Sequence, residues 1–131
     1  MGSVLDFCWR QGYEGLNVTS PFKLDVVPLL EESQSFAVNT LYRGKSFWRG
    51  LSTDGSGFLK ALNRWGYQVH DFEQLGFLGN GGVVASLLEA LASKDRVPPI
   101  TIFRRSGSRD SLITERASAN QGLSFAPFTP E

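Results

Sequence analysis

Two stretches of this chain combine residue types and spacing suited to binding a phosphorylated ligand. Gly79-Asn80-Gly81-Gly82 stands between an apolar run and a helix-like segment. A glycine turn in that place lets backbone amides approach a pyrophosphate, and the start of the following helix favours its negative charge. The third position of the usual spacing is Val84, whose branched side chain would crowd helix against sheet. The same glycines also suit an ordinary tight turn between strand and helix. Further on, Arg104, Arg105, Ser106 and Arg109 end the next strand-like run. An acidic residue there would accept ribose hydroxyls, whereas arginine forks and a serine hydroxyl suit a 2′-phosphate. These residues favour NADP over NAD; the competing reading is a solvated basic loop.

A second set lies earlier in the chain. Lys23 and Asp54 each follow a strand-like segment, where open α/β sheets place their sites. A lysine tuned by burial or a neighbour can move a proton, and an aspartate can orient it and hold a hydroxyl. As single residues they read more simply as a surface lysine and a helix-capping aspartate. Asn17, Thr19 and Asn39 offer amides and a hydroxyl suited to a polyol or carboxylate, and are also common turn formers. His70, the only histidine, has no carboxylate at ligand-like spacing and reads as a linker residue. Trp9, Trp48 and Trp65 lack an accompanying basic stripe and read as packing groups, not base-stacking platforms.

The elements that must position these residues alternate between helix and strand. Leu5 to Gly12 reads as the end of a helix, and Gly15 to Thr19 as a short strand. Ser20-Pro21 can start a helix, with Ser20 as cap, although Pro28 limits it. Glu31 to Ser35 reads as a polar connection. Phe36–Tyr42 and Ser46–Leu51 are strand candidates around a hairpin turn at Arg43-Gly44-Lys45. A helix from Asp54 carries Phe58, Leu59, Leu62 and Trp65 and stops at Gly66. Tyr67–Gln74 is a connection with room for a short strand. Leu75–Leu78, the glycine turn, a helix over Val83–Ala92 and a strand over Ile100–Phe103 make one βαβ unit. Asp110–Ala119 suits a helix, and the end of the chain has no sustained period.

Composition sets the bounds. The 131 residues amount to about one ordinary domain. With 41% hydrophobic and 20% charged residues, the chain can pack a core and is not disordered throughout. Lysine plus arginine and aspartate plus glutamate both number 13, so net charge gives no steering toward nucleic acid or an anionic membrane. One cysteine, Cys8, excludes an internal disulfide and a multi-cysteine metal cluster, and no metal site is expected. No apolar run is long enough to span a bilayer, and a cytoplasmic location is the expectation.

Taken in order, the motifs resemble those of the shikimate dehydrogenases. Gly15-Leu16-Asn17-Val18-Thr19-Ser20-Pro21-Phe22-Lys23 is similar to that family's substrate-site signature, Ala37-Val38-Asn39-Thr40 to the next, and Ser52-Thr53-Asp54-Gly55-Ser56-Gly57-Phe58 to the third. Gly79-Asn80-Gly81-Gly82 looks like the cofactor loop, and Arg104-Arg105-Ser106 with Arg109 like the NADP-binding stretch. Ser52, Val84 and Arg104 depart from the usual pattern.

The resemblance implies an α/β protein. A partial substrate-binding domain would occupy residues 1–66, and the first βαβ unit of a Rossmann-like NADP-binding domain residues 67–119. A loose tail would fill 120–131. It implies NADPH-dependent reduction of 3-dehydroshikimate to shikimate, a step of aromatic amino acid biosynthesis, with Lys23 and Asp54 as the catalytic pair. Asn17, Thr19, Asn39 and Asp54 would face a small polyhydroxylated carboxylate, shikimate or quinate. Gly79, Asn80, Gly81, Gly82, Arg104, Arg105, Ser106 and Arg109 would hold the cofactor. A full family member is roughly twice as long. The alternative is therefore a truncated, inactive chain acting as a ligand-binding or association module, its exposed sheet edges covered by a second copy or a complementary chain.

Overall fold

The computed structural model describes residues 1–116 and 122–128. The chain divides into two compact units, Met1–Thr53 and Asp54–Glu131. Among the described residues no helix is long and apolar enough to cross a membrane.

In the first unit, helix α1 (Gly2–Arg10) precedes a four-stranded sheet ordered β1-β3-β4-β2. Strand β1 (Gly15–Asn17) runs antiparallel to β3 (Thr40–Arg43), and β3 runs antiparallel to β4 (Trp48–Leu51). Strand β2 (Glu32–Ser33) lies parallel to β4, inside the stretch expected to be a connection. Leu5 and Cys8 on α1 pack with Val26, Val38, Leu41 and Trp48. Trp48 is fully buried and donates its indole N–H to the Leu5 carbonyl at 3.0 Å, so the ring's polar atom is satisfied inside the core. Arg43 donates to the Trp9 and Tyr13 carbonyls, both at 3.0 Å, which fastens the end of α1 and the following loop to β3. Its guanidinium lies 3.9 Å from the Trp9 ring centre.

The helix expected from Ser20-Pro21 does not form. The Ser20–Pro21 peptide is cis, residues 20–26 make successive turns, and only Val27–Leu29 completes a 3-10 turn. Pro28 supplies no N–H to continue a helical ladder. The segment is held from outside instead, since the Val38 N–H donates to the Lys23 carbonyl at 2.8 Å.

The second unit begins with helix α2 (Asp54–Arg64), which packs on helix α3 (Gly82–Ala92). Close approach is possible because Gly55 has no side chain. A Cβ there would collide with the Ser86 carbonyl oxygen and come within 2.6 Å of the Ala90 Cβ. Trp65 falls beyond the last turn of α2 and is 72% exposed, so it is not part of the helix's buried face. A 3-10 turn, Val69–Asp71, replaces the short strand allowed for in the connection; the Gln68 N–H donates to the Asp71 carboxylate at 2.6 Å.

Strands β5 (Leu75–Leu78), β6 (Ile100–Arg104) and β7 (Leu123–Pro127) form a parallel sheet in that order. β5 and β6 are adjacent and parallel, with α3 between them in the chain. Strand β7 corrects the expected loose tail: Leu123 to Pro127 pairs along β6 from Ile100 to Arg104. Residues 117–121 and 129–131, including the ends of both the expected helix and the tail, lie outside the described residues. Val84, Leu88 and Leu91 recur at helical spacing and pack with Ile100 and Ile102 of β6 and Ile113 of helix α4 (Asp110–Arg116). Val84 is thus a core residue, seated in the helix–sheet layer. Burying each of the larger aliphatic chains here contributes about 1.5–3 kcal/mol before entropy is counted.

Candidate functional site

Antiparallel pairing gathers one group of expected site residues. Asn17 closes β1 opposite Thr40, which opens β3, and Thr40 pairs in turn with Leu51 at the end of β4. The segments that leave these strands therefore share one end of the sheet. The Asn39 carbonyl accepts from the Val18 N–H at 2.8 Å, and the Asn39 N–H donates to the Leu51 carbonyl at 3.2 Å. Asn39 also donates through its side-chain amide to the Thr53 hydroxyl at 2.8 Å. Its Oδ1 accepts from the Thr53 N–H at 3.1 Å and the Thr40 hydroxyl at 2.9 Å. Asn17 and Thr19 are exposed at this end, and Asn39 and Lys23 are half-buried. Thr53 enters as a partner that its residue type alone does not single out; its place in the Ser52-Thr53-Asp54 motif is the available signal.

Lys23 belongs to the first unit, and Asp54 opens α2 in the second. A carboxylate in a first helical turn complements the positive end of the helix dipole.

Elsewhere in the first unit, Glu31 braces the β3–β4 loop. Its carboxylate accepts from the backbone N–H groups of Phe47 at 2.9 Å and Ser46 at 3.0 Å. These bonds, Phe47's first, hold its pKa below the ordinary glutamate value, with a smaller contribution from the charge of Arg49.

The second group lies where β5 and β6 end. Gly79 takes a φ of +102°, a conformation that favours glycine, and its N–H donates to the Phe103 carbonyl at 2.7 Å. Added Cβ atoms at Gly79 and Gly81 would meet nothing within 4 Å, so the loop's outer side is open. Gly81 precedes α3 without a side-chain cap. Asn80 donates its amide to the Ser106 carbonyl at 2.9 Å, tying the glycine loop to the loop after β6.

A pocket of about 410 Å³ is lined by Leu78, Gly79 and Asn80 on one side and by Phe103, Arg104, Arg105, Ser106 and Phe128 on the other. Its apolar walls suit a heterocyclic base, and its backbone and cationic groups suit phosphate; the residues present fit a dinucleotide's adenosine end. Arg105 and Ser106 are exposed there, and Arg109 is partly exposed. Arg104 is engaged differently: its Nε donates to Asp110 Oδ2 at 2.6 Å, and its Nη2 forms an ion pair with the same oxygen, also at 2.6 Å. Asp110 and Phe128 are not legible as site residues in the sequence, since each arrives through tertiary placement.

Another pocket, of about 330 Å³, sits at the opposite end of the β5–β6 strands, among Lys60, His70, Lys94, Arg96 and their neighbours. Lys94 follows the C-terminus of α3, where a cation offsets the helix dipole. Among the described residues no three of His, Cys, Asp and Glu converge as a metal site requires.

No protein-family model matches the chain. Shikimate dehydrogenase (NADP(+)) of Syntrophomonas wolfei is 34% identical over 115 residues, covering 82% of this chain and 39% of that protein. Among solved structures, shikimate 5-dehydrogenase from Thermus thermophilus, in complex with NADP(H) and shikimate, matches with a TM-score of 0.73 and 26% identity. That match covers 97% of this chain and 47% of that one. Quinate dehydrogenase from Corynebacterium glutamicum, in complex with NAD, matches with a TM-score of 0.75 and 25% identity, over 97% of this chain and 48% of that one. The chain spans less than half the length of each.

Proposed function

Since the chain is a member of the shikimate dehydrogenase family by sequence and fold, we propose that it carries substrate and cofactor loops for NADPH-dependent reduction of 3-dehydroshikimate to shikimate. The observation that carries this reading is the convergence of β1, β3 and β4 ends, which collects Asn17, Thr19, Asn39 and Thr53 at one end of the sheet. On this reading Thr19 and Asn39 hold ring hydroxyls and Asn17 supports their loop, while Asn39 also ties down the segment that precedes Asp54 through Thr53. Lys23 holds a proton at Nζ for the substrate's carbonyl oxygen, and Asp54 orients the group that is reduced. Residues 1–66 then supply the substrate contacts, and the β5-α3-β6 unit is the first of a Rossmann-like domain. Gly79, Asn80, Gly81 and Gly82 admit the pyrophosphate, while Arg105, Ser106 and Arg109 take a 2′-phosphate. NADPH, when bound, supplies the hydride. A cytoplasmic setting accords with the single, buried thiol of Cys8.

The test is the reaction itself, followed with purified chain of known oligomeric state and both shikimate and quinate in the oxidative direction. Turnover abolished by Lys23→Ala supports the reading. Turnover indifferent to Lys23→Ala overturns the assigned role. A folded chain without turnover leaves a second reading, that of an association module.

One observation favours that second reading. Among the described residues β5 pairs on one side only, its sequence is Leu75-Gly76-Phe77-Leu78, and Leu78 is 76% exposed. An uncharged edge of this kind accepts another strand, from a second copy or a complementary chain. Sedimentation should then show an assembly that Leu78→Lys weakens.

A further inference from the structure

We propose that Asp110 sets the nucleotide preference of this site by taking up the charge of Arg104; the proposal rests on the cofactor reading above. Arg104 ends β6 beside the glycine loop, where a free guanidinium would add to the attraction for a 2′-phosphate. It is not free. Both of its donors on one side meet Asp110 Oδ2 at 2.6 Å. The two side chains are only 22% and 21% exposed, so water screens the pair weakly. The guanidinium also lies 5.4 Å from the Phe125 ring centre, within reach of a cation–π contact. A cation so paired presents little net charge to a second anion.

Arg105 has no such partner among the described residues and is exposed on the same pocket. Recognition of the extra phosphate therefore falls to Arg105, with Ser106 and Arg109, while Arg104 and Asp110 act as a neutral brace. The brace has a second arm: Asp110 Oδ1 lies 3.5 Å from the Asn80 amide that holds Ser106. Asp110 is accordingly a positioning residue with an electrostatic consequence. Its loop-holding role affects NADP and NAD alike. Its neutralisation of Arg104 affects only the nucleotide with the additional phosphate. The ratio of the two dissociation constants isolates that second effect.

Calorimetric titration of the full chain and its variants with NADP⁺ and NAD⁺ tests this. Asp110→Asn, which frees Arg104, should raise preference for NADP⁺ about tenfold, the scale of one charge-assisted hydrogen bond. Removing both charges, in Arg104→Gln with Asp110→Asn, should return the ratio to within about twofold of wild type, as a neutral pair requires. Arg105→Gln should lower it about tenfold. Asp110→Ser serves as a second, smaller neutral variant at the same position. In the nucleotide-free protein, NMR should show the Arg104 Nε–H protected from exchange relative to Arg105, with protection lost in Asp110→Asn. An unchanged or reduced NADP⁺ preference in both Asp110 variants, with wild type still binding NADP⁺, overturns this inference alone. A folded wild type that binds neither nucleotide overturns the cofactor reading, and this inference with it.

Discussion

Asn39 and Thr53 exchange two hydrogen bonds, amide to hydroxyl at 2.8 Å and backbone N–H to amide oxygen at 3.1 Å. The reciprocal pair fixes the exit from β4 immediately before Asp54. Asn39→Ala removes both bonds and should cost about 1–3 kcal/mol, since the Thr53 N–H loses its acceptor. Asn39→Asp keeps that acceptor but loses the donor to the Thr53 hydroxyl, and should cost less. Urea denaturation of the two variants checks the order.

Gly55 is required by the contact between α2 and α3. Gly55→Ala would normally favour a helix, yet here its methyl collides with the Ser86 carbonyl and Ala90. A loss of about 1–3 kcal/mol is expected, the range for overpacking. Gly57→Ala provides the contrast, since nothing lies within 4 Å of its added carbon; that variant should be neutral or stabilising in thermal melts.

Glu31 predicts an acid-sensitive hairpin. Its folded-state pKa is depressed, by the Phe47 and Ser46 N–H groups first. The stabilisation is therefore present above the unfolded value and disappears as pH falls through the folded one. Glu31→Gln should flatten the decline in stability on the acid side of pH 4.5, where the ordinary glutamate titrates. A wild-type slope retained in that variant would assign the decline to other carboxylates.

Trp48 combines burial with a polar contact. Trp48→Phe leaves the Leu5 carbonyl without its indole donor and opens space in the core. A loss of about 2–4 kcal/mol is expected from the two effects together. Circular dichroism during guanidinium unfolding measures it.

Much of this architecture is legible from residue patterns, because local signals agree with the fold. The spacing of Val84, Leu88 and Leu91 matches the buried face of α3, and Gly66 and Gly79 mark turns that do take positive φ. Strand β7 is not legible in the same way. The alternation of Leu123-Ser124-Phe125 is too short to mark a strand by itself, and its strand state depends on pairing with β6. Ser20-Pro21 carries a genuine helix-start signal, overridden by Pro28 and by the tie from Val38 to Lys23. In the candidate site, Asn17, Thr19, Asn39 and the glycine loop stand out by residue type. The Asn39–Thr53 exchange follows from β3–β4 register, and the Asp110–Arg104 pair from where α4 begins, neither of which residue identity encodes.

The placement of the tryptophans gives the chain a built-in optical asymmetry. Trp9 and Trp48 lie edge to face, 5.5 Å apart, in the first unit, while Trp65 stands 72% exposed in the second. Unfolding moves the first two from an enclosed, aromatic setting into water, whereas Trp65 is already largely wetted. Intrinsic emission therefore reports the loss of the first unit and is nearly blind to the second. Its midpoint, set against that of the helical signal, reads out whether the two units melt together or in succession.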